Sequence, residues 1–130
     1  MWKPLIALLL FLLTLAVSAP VAAKLEPAPS PYVVGIRRKG PSWRADLNTP
    51  EGRSMIQGHI AVIRKMEATG KLIAAGPFGD PTDLRGLLLF RNCSIDEARR
   101  MAAEDPVVQS GQIAMEYYTW MAPQKLKVEE

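Results

Sequence analysis

Lys71-Leu72-Ile73-Ala74-Ala75-Gly76-Pro77-Phe78-Gly79-Asp80-Pro81-Thr82-Asp83-Leu84-Arg85-Gly86-Leu87-Leu88-Leu89-Phe90 carries two apolar runs about a break rich in glycine, proline and aspartate. The runs Lys71 to Ala75 and Arg85 to Phe90 read as strands, because the residues between them either permit unusual φ values or fix φ. The pair is a hairpin whose connection is roughly nine residues, longer than the usual hairpin loop. Downstream, Ser94-Ile95-Asp96-Glu97 has capping-box spacing and opens a helix with Ile95, Ala98 and Ala102 on one face. Asp105-Pro106 is expected to end that helix, since proline disfavours helical geometry in the residue before it. Gln112 to Trp120 reads as the last strand, and residues 123–130 form a polar tail.

Upstream, Tyr32-Val33-Val34-Gly35-Ile36 is a β-branched and aromatic strand, followed by a polar stretch from Arg37 to Asn48 whose Gly40-Pro41 would shape a pocket mouth. Thr49-Pro50-Glu51 starts a helix, with Thr49 as cap and Pro50 at the first helical position, where no N–H is needed. That helix runs through Met66 and Ala68 and stops at Gly70. The order is β-α-β-β-α-β, so the fold class is α+β: a ferredoxin-like antiparallel sheet with two helices on one face. Such a sheet should have one polar side. Here Leu72 to Ala75, Leu87 to Phe90 and Ile113 to Trp120 are apolar on both, and no third helix is available as a cover. A homodimer packed sheet to sheet, the dimeric α/β-barrel type of assembly, is the simplest answer.

His59 is the single histidine of the 130-residue chain. At about 100° per residue, Met55, Ile56, Val62, Ile63 and Met66 fall on an arc centred on it. An imidazole turned inward has a donor and an acceptor to satisfy, and an orphaned polar group there costs roughly 1–3 kcal/mol. A carboxylate or carbonyl from elsewhere in the chain should meet it.

Residues 1–23 combine a charged start at Lys3, an apolar run from Leu5 to Val17 and the small residues Val21-Ala22-Ala23, the pattern of a secretory signal peptide. The alternative is a retained membrane anchor, the one route by which this chain would touch a membrane. Residues 24–31, with Pro27, Pro29 and Pro31, read as an extended tether, and the domain spans 32–122. Loss of residues 1–23 takes away Lys3 and lowers the net charge from +3 to +2. That near-neutral balance, with Arg37-Arg38-Lys39 as the longest basic run, argues against nucleic acid and reads as a solvated strand end. About 100 residues support one core. Cys93 is the single cysteine, so no intrachain disulfide forms. It precedes a helix start that would lower its pKa, but a small half-buried residue at a strand end is the preferred reading.

His59, the strand ending Ala75-Gly76-Pro77, the Gly86 to Phe90 strand, the Ser94 to Ala98 helix start and the Asp105-Pro106 stop resemble, in this order, the YCII-related (YciI-like) family of small proteins. The resemblance covers about Tyr32 to Trp120. It implies a dimeric ferredoxin-like fold and a histidine–aspartate pair facing a pocket between sheet and helices, which by position is His59 with Asp105. The carboxylate would fix the imidazole tautomer and leave the other nitrogen free to take a substrate proton. The expectation is a small proton-transfer enzyme, with an isomerase, lyase or dehydrochlorinase-like step. Catalysis would rest on His59 and Asp105, and Gly76, Pro77 and Phe78 would line the entrance for a small organic substrate. The competing reading is a non-catalytic periplasmic ligand-binding or structural dimer in which the pair is a strut between helices. A dyad sealed from solvent favours the strut, and one reachable past Gly76-Pro77-Phe78 favours a site. The export signal departs from cytosolic relatives and places the protein in a periplasm or outside the cell.

Arg44, Arg53 and Arg85 would bind an anionic substrate if loops brought them to the pocket, though lone arginines are ordinarily surface residues. Trp43 and Trp120 would line the cavity or pack in the core or dimer. Neither a metal nor a cofactor is expected. One histidine and one cysteine offer no spaced ligand set, and Gly76-Pro77-Phe78-Gly79 lacks the lysine and helix of a phosphate loop.

Overall fold

The computed structural model describes residues 30–123 and 126–127, so the signal peptide read at 1–23 lies outside the described residues. The elements are β1 (Ser30–Lys39), α1 (Pro50–Ala68), β2 (Leu72–Pro77), β3 (Leu84–Arg91), α2 (Ile95–Ala102), α3 (Pro106–Gln109) and β4 (Ile113–Ala122). The sheet is antiparallel in the order β2-β3-β1-β4, the ferredoxin-like topology, with one short helix added between α2 and β4. No helix among the described residues is long and apolar enough to cross a membrane.

Local chemistry sets most boundaries. Thr49 Oγ1 accepts from the Gly52 N–H at 3.0 Å and Pro50 takes the first helical position of α1. Gly70, at φ +72, turns the chain out of that helix in the left-handed region. Ser94 caps α2 by accepting from Glu97 N at 3.1 Å. The reciprocal half of the capping box does not form, because the Glu97 carboxylate accepts from Lys71 Nζ instead. The hairpin connection is six residues, 78–83, shorter than its composition suggests, because pairing continues to Pro77↔Gly86.

Two expectations are corrected. β1 does not end at Ile36: as a central strand it is paired to β3 on one side and β4 on the other, and this carries Arg37 and Arg38 into the sheet. Asp105-Pro106 does not terminate the second helix. α2 stops at Ala102, and Asp105, extended at φ −72 and ψ 121, caps a new helix that begins at Pro106. Proline has no N–H to lose at that position and its φ is already helical.

The core lies between the sheet and the helices, where Val33, Leu72, Leu88 and Phe90 meet Met66, Ala98 and Ala102, with Val62 and Ile63 partly buried beside them. Alternation along β1 puts Val33, Gly35 and Arg37 on this side. Tyr32, Val34, Leu87 and Leu89 form a second apolar cluster on the outer face. Within α1, Gly58 lets α3 come close: a Cβ there would lie 2.8 Å from Pro106 Cγ. This approach seats His59 beside the residue preceding Pro106. Gly58→Val is therefore expected to destabilise the domain by about 1–3 kcal/mol through overpacking, read as a lowered urea midpoint. A midpoint equal to that of the unsubstituted protein would show that the two helices are not held at this spacing.

Candidate functional site

Asp105 is 4% exposed and is placed by the turn between α2 and α3. One carboxylate oxygen accepts from the Val107 N–H at 3.0 Å, which is the cap of α3. The other lies 2.6 Å from His59 Nδ1 on α1. An ionised carboxylate only accepts, so it selects the tautomer with the proton on Nδ1 and leaves Nε2 with a lone pair. The His59 side chain retains 17% exposure against 5% for Asp105. With the Nδ1 edge turned to the buried carboxylate, the opposite edge of the ring is the one left to face the cavities that His59 lines.

This edge opens on two adjoining cavities that share Arg37, His59 and Pro77. One, of about 210 Å³, is bounded by Trp43, Leu47, Ile56, Arg85 and Ile113. The other, of about 330 Å³, extends along Ile60, Ile63, Ala75 and Gly76 toward Arg64 and Glu67. Of the residues expected at the entrance, Gly76 and Pro77 line the cavities and Phe78 does not. Ile56, expected on the buried arc of α1, is 38% exposed, and Ile60 beside it is 44% exposed. They form apolar wall and rim; Met66 carries the core contact.

The loop of residues 40–49 is pinned over the first cavity by Gln112, which is 3% exposed. Its Oε1 accepts from Arg44 N at 3.0 Å and its Nε2 donates to Arg44 O at 2.6 Å. This two-point clamp positions Trp43, over whose ring the Arg85 guanidinium sits at 5.0 Å. Leu47 is held against the start of α1 at Gly52, where a Cβ would meet its carbonyl oxygen. Of the three arginines weighed from sequence, Arg85 therefore reaches the site. Arg44 contributes its backbone, and Arg53 donates to Asn48 Oδ1 on the exposed surface. Trp120 lies on the outer sheet face against Tyr32, with ring centroids 5.8 Å apart.

Arg37 is the residue that sequence reasoning placed on a solvated strand end. It lies on the helix-facing side of the central strand, where burial lowers its pKa; the Asp105 charge acts in the opposite direction and Arg85 reinforces the lowering. A guanidinium stays charged under these conditions. The available signal was the period of two running Val33, Gly35, Arg37 toward the core. Gln112 gave none, because its partners are backbone atoms 68 residues away.

A separate cavity of about 360 Å³, bounded by Pro31, Tyr32, Ile73, Arg91, Cys93 and Leu126, contains neither member of the pair. Burial raises the Cys93 pKa, the Glu97 charge adds to this, and Lys71 opposes it.

Fold and geometry together define a ferredoxin-like α+β protein with a histidine-lined cavity between its sheet and helices. The chain belongs to the YCII-related domain family, whose sequence model matches residues 32–121. No curated protein matches it. Among solved structures it is similar to 5-chloro-2-hydroxyhydroquinone dehydrochlorinase (TftG) from Burkholderia phenoliruptrix, in complex with 2,5-dihydroxybenzoquinone. The identity is 23%, the match covers 68% of this chain and 92% of that one, and the TM-score is 0.50. This likeness is one of fold. The C-terminal domain of the MgtC protein from Mycobacterium tuberculosis, also 23% identical over 75% of this chain and 95% of that one, has a TM-score of 0.34 and carries no argument.

The Cys93 environment gives a direct expectation. At pH 7.5 the thiol should react with Ellman's reagent more slowly in the folded protein than in the urea-unfolded chain, because less of it is thiolate. A faster reaction would mean that the helix start outweighs burial.

Proposed function

We propose that the protein catalyses proton transfer on a small organic substrate, with His59 as general base and acid and Asp105 as the group that orients it. The observation that carries this reading is the division of the His59 ring, with Nδ1 against a buried carboxylate and the opposite edge on the cavities. In the first step Nε2 takes a proton from an acidic C–H or O–H, and the bonding pair stays on the substrate as an enolate or phenolate. The imidazolium so formed faces the Asp105 carboxylate. Return of the proton to a different carbon completes an isomerisation. Departure of a leaving group with its electron pair completes an elimination, the class of reaction named for the dehydrochlorinase of similar fold. The apolar walls around His59 suit a substrate of modest size with an apolar frame.

The test is deuterium uptake in D2O by a panel of small β-dicarbonyl compounds and hydroxyquinones, followed by proton NMR. His59→Gln should lower any catalysed exchange by roughly 10²–10⁴-fold while the domain stays folded. Unchanged exchange would sink the reading in favour of the helix strut. Asp105→Asn is informative because asparagine has one acceptor where aspartate has two. If its oxygen keeps the α3 cap, its NH2 faces Nδ1 and drives the ring to the tautomer with the proton on Nε2, which cannot act as a base. Exchange should fall with little loss of stability. Asp105→Ala should in addition cost about 0.5–2 kcal/mol for the lost cap.

We also propose that the protein is exported by residues 1–23 and acts as a homodimer. The outer sheet face supports the second point, with Tyr118 at 54% and Trp120 at 42% exposure next to the Tyr32–Leu89 cluster. Trp120→Glu should convert a dimer to a monomer in light scattering; a monomer before substitution would remove the proposal.

A further inference from the structure

From the juxtaposition of Arg37, His59 and Pro77 on one cavity wall, we propose that the substrate is a small organic anion whose carboxylate or phenolate oxygen pairs with the Arg37 guanidinium while its acidic proton faces His59. The inference rests on the proton-transfer reading and adds to it the charge of the substrate and the residue that selects for it.

Arg37 projects from the middle of the sheet into the space between sheet and helices, a costly place for a charge that has no fixed partner. Among the described residues its guanidinium has neither a hydrogen bond nor an ion pair, although the neighbouring Arg38 is paired to Glu116 at 2.6 Å on the outer face. The nearby carboxylate, Asp105, is already committed on both oxygens, to Val107 N and to His59. Arg37 thus keeps its donor fork for something that enters the cavity. Arg85, the second cation on that cavity, is placed differently: its guanidinium lies over the Trp43 ring and donates to Thr82 O at 3.5 Å.

The arrangement also answers an electrostatic difficulty. An anion entering beside His59 is repelled by the buried Asp105 carboxylate, and the cost rises when His59 withdraws a proton and leaves further negative charge on the substrate. A guanidinium on the same wall offsets both, and it does so most where charge develops in a water-poor site. Arg37 itself makes and breaks no covalent bond and moves no proton. The walls of Ile56, Ile60, Ile63 and Pro77 receive the uncharged body. The expected substrate is therefore amphipathic, an oxyanion on an apolar frame.

Benzoate and benzamide, which share a frame and differ in charge, are the probes, and binding is measured by isothermal titration with the purified protein. Benzoate should bind roughly tenfold or more tightly than benzamide, and Arg37→Gln should remove the difference. Should that variant fail to fold, the contrast in the unsubstituted protein decides, together with a benzoate-dependent shift of the Arg37 Nε–H resonance in nitrogen-15 NMR. Equal affinities, benzoate preference unaltered in Arg37→Gln, or no binding of either probe would overturn the proposal. His59→Gln should still prefer benzoate. Deuterium exchange that persists unchanged in His59→Gln, with that preference intact, would refute the proton-transfer reading and leave the anion site standing.

Discussion

The contact between Asp105 and His59 is the constraint around which the site is arranged. A carboxylate at 4% exposure is costly to bury unless its oxygens are occupied, and here both are, by a backbone N–H of α3 and by a ring nitrogen of α1. The same group therefore starts one helix and holds the other. The close packing of α1 on α3 at Gly58 and Pro106 serves this distance, since one added methyl at position 58 would force the helices apart. A lost hydrogen bond at this point would be both a structural defect and a chemical one.

A second layer of organisation comes from the sheet. The central strand β1 sends Val33 and Gly35 into the core and Arg37 to its edge, so the apolar packing that stabilises the fold and the charge that faces the cavity are set by one register. Opposite, Gln112 uses both ends of its amide on Arg44 backbone atoms, which is why a polar loop of ten residues sits over the cavity in a defined shape. Trp43 and Arg85 then close one side as a stacked pair.

What the sequence disclosed and what it withheld divide along the range of the forces involved. The hairpin strands and the caps at Thr49 and Ser94 were legible because each depends on residues a few positions apart. The helical arc around His59 was legible as periodicity, and the need for a partner followed from the chemistry of imidazole. The identity of that partner, 46 residues away, came only with the family resemblance. Arg37 was misread because its neighbours Arg38 and Lys39 suggested a charged strand end, while its true position is set by pairing to β3 and β4. Asp105-Pro106 was misread in direction, since the dipeptide that stops one helix is also a good start for the next. Arg85 and Trp43 were considered, but nothing local indicated that a glutamine far along the chain would bring them together.

Between residues 105 and 112 the chain holds the orienting carboxylate, the helix that it caps, the left-handed turn at Gly111 and the glutamine that fastens the loop over the cavity. These eight positions have no slack. An insertion anywhere among them would displace the carboxylate from His59 or the amide from Arg44, and with it the shape of the cavity. The β2–β3 connection at 78–83 is exposed along most of its length and contributes no residue to the cavity wall. Although both segments adjoin the same end of the sheet, length variation among descendants of this chain is therefore tolerated in the β2–β3 connection and forbidden in the segment that leads into β4, and the forbidden segment is a single exchangeable cassette.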